Sequence, residues 1–526
     1  MLVLSFSSNF LYLLDITTKT FNLSEKRRNL KKQLIDFYSH NNFIMANIKY
    51  DLIHGVFWSA IEKYSGLFVS IIVTMILARL LSPAEYGVVA IATVVIQFLQ
   101  MFCSMGIGPA IIQKKSISQY ELDTLFSLSL YVGGFFSLLL FFSSWGIADF
   151  YGNKQLVSVM QILTINLFFA SANMVPNALI AKNKEFKLLA KRTLFLQGGT
   201  GVLSVVAAIY GLGVYSLLLS PVISSIGIFC FNRKFYKVNF TLRLSLKPIK
   251  SIFSFSFYQF AFEFFNYFSR NLDKLIIGKY LNAIMLGYYE KSYRLMQLPL
   301  NNVSSVVNPV IQPVLSCLQD DKKEIAIKNN KIVSIISMIS FPIAVCLYVN
   351  NNEIIEILYG DKWLAAAPVF KILALSIPTQ MILSTSGAIW QSSNCPKQMF
   401  WTGMLNTLIT ISGFVIAAIF FKTIESIALA WSLSSIVNFF NTYIYMYKKV
   451  LKSSFRAFLK PFLIPGVAAV FSFVIICVYN YIFDLDYYIL NLILRLLISI
   501  FVTLLIYMIS GRFDYKTLKF HNHEAK

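Results

Sequence analysis

The chain runs to 526 residues, of which 57% are hydrophobic and 13% charged, with a mean hydropathy of +0.65. Soluble domains carry about twice that share of charge, which excludes an ordinary soluble enzyme or binding module. The net charge of +22 is large enough for a nucleic-acid partner, but its distribution along the chain assigns it to membrane topology, and no nucleic acid is expected.

Residues 1–45 read as a cytoplasmic N-terminal extension that mixes a short apolar run with a basic stretch, Lys26-Arg27-Arg28 to Lys31-Lys32. No small-residue cleavage site follows it. The compact entry from Met45 to Gly55 leads straight into an apolar segment, so Met45 is the expected physiological start and residues 1–44 are expected not to be native. Beyond it, apolar windows of about 20 residues, the length that crosses the hydrocarbon core as a helix, centre at about 68, 95, 135, 168, 200, 221, 262, 298, 341, 378, 410, 436, 469 and 499. The expected class is an all-α integral membrane protein with about fourteen transmembrane helices.

If the residues before the first span lie in the cytoplasm, twenty-seven Lys and Arg fall in cytoplasmic segments after it. The opposite face holds six: Arg79, Lys154, Lys274, Lys279, Lys362 and Lys422. Positive residues stay on the cytoplasmic side during insertion, so both termini are expected inside, with the basic segments also drawing anionic lipid headgroups. Six cysteines are scattered singly with no CxxC pair, so no zinc site, disulfide framework or cofactor is expected.

The membrane-spanning half occurs twice. Arg79-Leu80-Leu81-Ser82 followed by Gly87 recurs as Lys279-Tyr280-Leu281-Asn282 followed by Gly287; Gln97 answers Gln297, and Pro109 answers Pro309. Further on, Tyr151-Gly152-Asn153-Lys154 answers Tyr359-Gly360-Asp361-Lys362. The repeat divides the chain into an N-lobe (46–232, six spans), a basic cytoplasmic linker (233–249), a C-lobe (250–447, six spans), and a final pair of spans with a cytoplasmic tail (448–526). Six spans per repeat is even, so the two lobes are parallel and related by an axis along the membrane normal, an arrangement many transporters use to hold one site between rocking halves.

Charges inside spans cost about 2.5–3.5 kcal/mol each at the centre and usually face protein or water. In the eighth span Glu290, Arg294, Gln297 and Asn301 share one helical face. The seventh adds Glu263, Asn266, Arg270, Asp273 and Lys274; the first adds Arg79 near its end. Neutral amides and hydroxyls stripe the fourth span (Asn166, Asn173, Asn177) and the tenth (Gln380, Ser384, Gly387, Gln391). One reading is a hydrated cavity lined by Arg79, Gln97, Arg270, Lys274, Lys279, Arg294, Gln297 and Asn301, its cations for an anionic substrate and its amides for sugar hydroxyls. Glu263, Asp273 and Glu290 would then be the candidates for a coupling ion. The other reading makes Glu290 and Arg294 a helix-stabilising pair four residues apart and lets Arg79, Lys274 and Lys279 snorkel to the surface. Pro109 and Pro309 are the hinge candidates because both lobes have them.

Gly55-Val56-Phe57-Trp58-Ser59-Ala60 and Leu77-Ala78-Arg79-Leu80-Leu81-Ser82-Pro83-Ala84-Glu85-Tyr86-Gly87 resemble the opening of Wzx-type polysaccharide flippases, which belong to the multidrug/oligosaccharidyl-lipid/polysaccharide exporter superfamily. Asp273 to Lys279, Leu286-Gly287-Tyr288-Tyr289 and Leu298-Pro299-Leu300 resemble the matching segment of the second lobe, and Tyr359 to Trp363 with Ala365-Ala366-Ala367-Pro368 the loop into the tenth span. The likeness covers roughly residues 46–450. It implies a non-enzymatic carrier in the bacterial cytoplasmic (inner) membrane, moving a polyprenyl-diphosphate-linked glycan outward by alternating access for lipopolysaccharide, O-antigen or exopolysaccharide biosynthesis. A proton or sodium ion resets the cavity on this reading, and a polysaccharide polymerase is the expected neighbour. The alternatives are a small-molecule or drug antiporter of the same superfamily, which would want an acidic cavity, and a membrane polysaccharide polymerase, which would want a larger external loop than this chain offers.

Overall fold

The computed structural model describes residues 58–242, 270–483 and 488–511, apart from 105, 115 and 320, together with 264, 267 and 268. Every regular element described is helical. In chain order these are α1 (Trp58–Leu80), α2 (Pro83–Ser104), the short α3 (Ile107–Gln113), α4 (Gln119–Tyr151), α5 (Gln155–Ala172), α6 (Met174–Lys182), α7 (Phe186–Ile209) and α8 (Val214–Phe235). The second half holds α9 (270–280), α10 (Ala283–Ser316), α11 (Lys322–Val349), α12 (Asn351–Tyr359), α13 (Ala367–Ala374), α14 (Ile377–Leu383), α15 (Ser386–Ser392), α16 (Pro396–Ile416) and α17 (Ile424–Tyr445). Helices α18 (Phe455–Ile482) and α19 (Tyr488–Ile509) complete the described chain.

Eleven of these helices are long and apolar enough to cross a membrane, or twelve if the pair Asp361–Ala374 and Ile377–Ser392, bent by 53°, is one broken span. The chain is a multi-pass membrane protein. The expected count of fourteen is not reached among the described residues, for two local reasons. The seventh expected span falls mostly on residues outside the description, and the eighth, α10, is 34 residues long but too polar along one face to qualify on composition. Met45 also lies outside the described residues.

The repeated motifs prove to be helix punctuation. Ser82 and Asn282 are the two N-caps: Ser82 Oγ and N both donate to Glu85 Oε2, at 2.8 and 2.7 Å, and Asn282 Oδ1 accepts from Met285 N at 2.8 Å. These bonds occupy polar groups that a helix start leaves open. The repeated Tyr-Gly ends a helix in each lobe. Gly152 (φ +67°) and Gly360 (φ +89°) lie in backbone conformations that side-chain-bearing residues resist. Pro109 and Pro309, by contrast, occupy different settings. The N-lobe chain breaks at Gly106 (φ +68°), leaving Pro109 within the separate α3, whereas Pro309 lies inside the unbroken α10.

The C-terminal pair is held to the rest of the second half by α18 along α11 and by a largely shielded ion pair. Arg495 of α19 binds Glu353 of α12 and donates through Nε to Asn480 Oδ1 at 2.8 Å. Both charged side chains are only 13% exposed. Removing one partner strands the other, which costs about 3–5 kcal/mol for a buried pair. Arg495→Leu is expected to lower the melting temperature of the purified protein clearly, with Glu353→Gln in the same chain restoring part of the loss; a melting curve that does not move would show that the pair anchors nothing.

Candidate functional site

The two halves of the chain, expected to be two lobes, meet where α2 and α10 cross, and the crossing is set by the repeated glycines. A Cβ at Gly87 would lie 1.7 Å from the Ala283 carbonyl oxygen, and one at Gly287 would lie 2.1 Å from that of Pro83. Each glycine is the fifth residue of its helix and touches the first residue of the other, as a two-fold relation between lobes requires. Only glycine permits so close an approach of backbone to backbone.

The cations of the same repeat flank this crossing as reciprocal clasps. Arg79 Nη2 donates to the Ile357 carbonyl at 2.8 Å, in the helix that ends at Tyr359-Gly360. Lys279 Nζ donates to the Phe150 carbonyl, in the helix that ends at Tyr151-Gly152, and lies 4.1 Å from the Phe150 ring centre. Lys362 Nζ returns to the Arg79 carbonyl at 2.8 Å, and the Trp363 indole N–H to the Ala78 carbonyl at 2.8 Å. Arg79 and Lys279, expected to line a cavity or snorkel, are exposed, and each bonds a backbone carbonyl of the other half of the chain.

Within the seam sits a residue that sequence reasoning missed. Lys291 is 1% exposed, and its ammonium lies 3.6 Å from the ring centre of Tyr86, 4.8 Å from Tyr359 and 5.5 Å from Trp363. Among the described residues it has no hydrogen-bond partner, and neither does the buried Tyr86 hydroxyl. The nearest ring offsets about 2 kcal/mol in a desolvated setting, the others less. Against this stand several kcal/mol for taking an ammonium out of water and the hydrogen bonds left unmade. Burial therefore outweighs the cage, and the closed seam holds Lys291 at a net cost. Its repeat counterpart is Ile91, so the duplication gave no hint of it.

One stripe of α10 tracks the seam to its end. Gly287, Lys291, Arg294, Asn301 and Ser305 fall on one helical face. Gly287 and Lys291 are sealed against α2; Arg294, Asn301 and Ser305 are exposed. Arg294 Nη2 reaches Ser70 Oγ of α1 at 3.2 Å, and Ser305 Oγ is bonded by Lys63 Nζ of the same helix. The α10 stripe is thus buried at one end and exposed from Arg294 onward, with α1 bonded along the exposed part. Gln97 on α2 is exposed and Arg270 on α9 is exposed; neither arginine forms an ion pair among the described residues.

Behind this stripe is a braced set of groups. Lys274 pairs with Glu290 at 2.8 Å and lies 4.9 Å from the Tyr293 ring centre. The expected Glu290–Arg294 pair is not what forms: Lys274, from the neighbouring helix, takes the carboxylate and leaves Arg294 to Ser70 of α1. Asp273 is fully buried, accepting from the Tyr289 hydroxyl at 2.7 Å and from the Lys274 amide at 2.8 Å. Gln297 Nε2 donates to the Tyr293 hydroxyl at 3.0 Å. Glu263 lies outside the described residues. No group of three or more His, Cys, Asp and Glu among the described residues could hold a metal ion.

The amides expected to meet sugar hydroxyls are largely committed inside the lobes. Asn177 Oδ1 and Asn232 Oδ1 accept from Arg192 Nη1 at 2.9 and 2.7 Å, and Asn173 Oδ1 accepts from Asn232 Nδ2 at 2.7 Å. Asn166 donates to the Pro221 carbonyl at 2.8 Å, a carbonyl inside α8. Gln380 donates to Ser376 Oγ at 2.6 Å, and Ser384 Oγ bonds Ser304 Oγ at 2.7 Å.

Residues 76–368 match the family described as "Polysaccharide biosynthesis protein". The lipopolysaccharide biosynthesis protein WzxC of Escherichia coli K12 is 25% identical over 78% of this chain and 84% of its own. The teichuronic acid biosynthesis protein TuaB of Bacillus subtilis 168 is 25% identical over 82% of this chain and 90% of its own. Among solved structures, the lipid II flippase MurJ in an inward closed conformation superposes with a TM-score of 0.70 at 15% identity, covering 87% of this chain and 99% of that one, which establishes a shared fold.

Proposed function

Because the chain belongs to the polysaccharide biosynthesis protein family, we propose that it is a flippase carrying a polyprenyl-diphosphate-linked oligosaccharide across the cytoplasmic membrane by alternating access. The observation that supports this reading is the α10 stripe, sealed at Gly287 and Lys291 and exposed from Arg294 through Asn301 to Ser305. The diphosphate is held by Arg294 and Arg270, whose planar forks match phosphate oxygens. The glycan occupies the space beside Gln97 and Asn301, and the polyprenyl chain stays in the bilayer.

Both termini face the cytoplasm, which puts the α2–α10 crossing on the outer side and the opening on the inner side. Export of the anion down an interior-negative potential is favourable by about 2.3 kcal/mol per charge per 100 mV. Return of the empty, basic cavity is coupled to a proton or sodium ion at Asp273 or Glu290. A polymerase at the outer face is the class of partner that consumes the exported glycan. A drug antiporter would want carboxylates in the opening, whereas Asp273 and Glu290 are already engaged by Tyr289 and Lys274.

Proteoliposomes loaded with polyprenyl-diphosphate-linked glycan test the reading. The protein is expected to speed exposure of the glycan to an external lectin at least tenfold over protein-free vesicles, and faster still with an imposed potential. Rates equal to those of empty vesicles would remove it.

A further inference from the structure

Among the described residues Lys291 is the one strongly buried cation in the seam, and nothing in the proposed transport step uses it while the seam is closed. Its ammonium is enclosed by Tyr86 from one lobe and by Tyr359 and Trp363 from the other, so the cage exists only while the lobes touch. Parting α2 from α10 removes Tyr86, the nearest ring, and returns the ammonium to water. Arg294 lies three residues on, one helical turn away on the same face. An opened seam therefore presents two cations, one turn apart, to whatever stands between the lobes, where the closed seam presents one.

We infer that Lys291 is a sheathed anion-binding residue: loaded against the aromatic cage when the outer seam is closed, it drives the seam open and joins Arg294 as a phosphate subsite of the outward-facing cavity. This rests on the flippase reading for the identity of the anion as a diphosphate. The sign of its effect separates it from the plainer view that the cage is a latch. A latch loses strength when its cation is removed, so Lys291→Met would favour the open seam. A caged cation held at a net cost behaves oppositely: an apolar side chain of similar length sits among three rings without that cost, and the seam stays shut.

Spin labels at Leu80→Cys and Tyr280→Cys, repeat-related sites that are 45% and 69% exposed, read the seam directly. The background carries serine at the exposed Cys230, Cys317 and Cys477. In nanodiscs, Lys291→Met is expected to lower the ratio of open to closed distances at least fivefold. Inorganic pyrophosphate is expected to raise that ratio in the wild type and not in the variant. Tyr86→Leu, which thins the cage but keeps the cation, should raise the ratio, and should do nothing once Lys291 is methionine. A higher or unchanged ratio in Lys291→Met overturns the inference, as does an equal response of both proteins to pyrophosphate. If the wild type ignores pyrophosphate, the diphosphate reading itself falls and the subsite falls with it.

Discussion

Gly287→Val is expected to abolish transport while leaving each lobe folded, because it blocks the outer seam from closing. The atoms that a Cβ at 287 would strike are the Pro83 carbonyl oxygen at 2.1 Å and its carbon at 2.9 Å. Both belong to the first turn of α2, which cannot rotate aside as a side chain would. Overpacking a rigid contact costs about 1–3 kcal/mol and occasionally more. Here the strain has an easier outlet than deforming a lobe: the lobes move apart. A population moved from 1:99 to 99:1 requires about 5.5 kcal/mol, so two added methyl groups beyond the Cβ on one backbone crossing can carry much of that shift. Transport should fall at least about 100-fold, with the seam-label distances biased to the open form and membrane abundance within about twofold of wild type. Gly287→Ala should show the same bias more weakly. Gly108→Ala, where nothing lies within 4 Å of the added carbon, is the control that should change neither. Transport by Gly287→Val within twofold of wild type would mean that the seam need not close in the cycle.

The duplication was legible because the residues that make it are those that two-fold contact between lobes constrains most tightly. Gly87 and Gly287 cross, Ser82 and Asn282 cap, Gly152 and Gly360 turn, and Arg79 and Lys279 clasp. Their spacing could be read from the sequence; their destination could not. A cation near a helix end reads equally as a ligand, a snorkel or a clasp until the neighbouring carbonyl is located. Glu290 shows the same limit. The sequence offered Arg294 four residues along its own helix, and the fold delivered Lys274 from another. Lys291 escaped notice because it breaks the repeat, opposite an isoleucine, and asymmetry is the point at which two copies of one scaffold acquire a direction. Asn166, Asn173 and Asn177 show the same limit: their spacing set them on one stripe without locating their partners. Asn177 is met by Arg192 of α7, Asn173 by Asn232 of α8 and Asn166 by the Pro221 carbonyl of α8, pairings that no periodicity within one helix reveals.

Arg294→Gln and Arg270→Gln are each expected to weaken transport by about 10- to 100-fold, since a hydrogen bond to a charged group is worth about 1.5–3 kcal/mol. Glutamine keeps length and polarity, and neither arginine has an ion-pair partner among the described residues to be stranded by the change. Abundance and melting temperature should therefore hold. That pattern separates the two from Arg79 and Lys279, whose neutralisation loosens the clasp and should alter the seam distances as well as the rate. It also separates them from Lys274, whose loss would strand Glu290 and destabilise the fold. Where the arginine acts in the cycle decides which constant moves. A residue that meets the diphosphate only in the inward-open cavity contributes to capture, so the loss appears in the half-saturating substrate concentration. One that holds the headgroup through the rocking step lowers the maximal rate too. Arg294 stands at the junction between sealed and open stripe, beside Lys291, and is expected to affect both constants; Arg270, on α9, is expected to affect capture alone. Two variants that transport as the wild type does would place the headgroup elsewhere, and the basic face of α10 would then have no part in recognition.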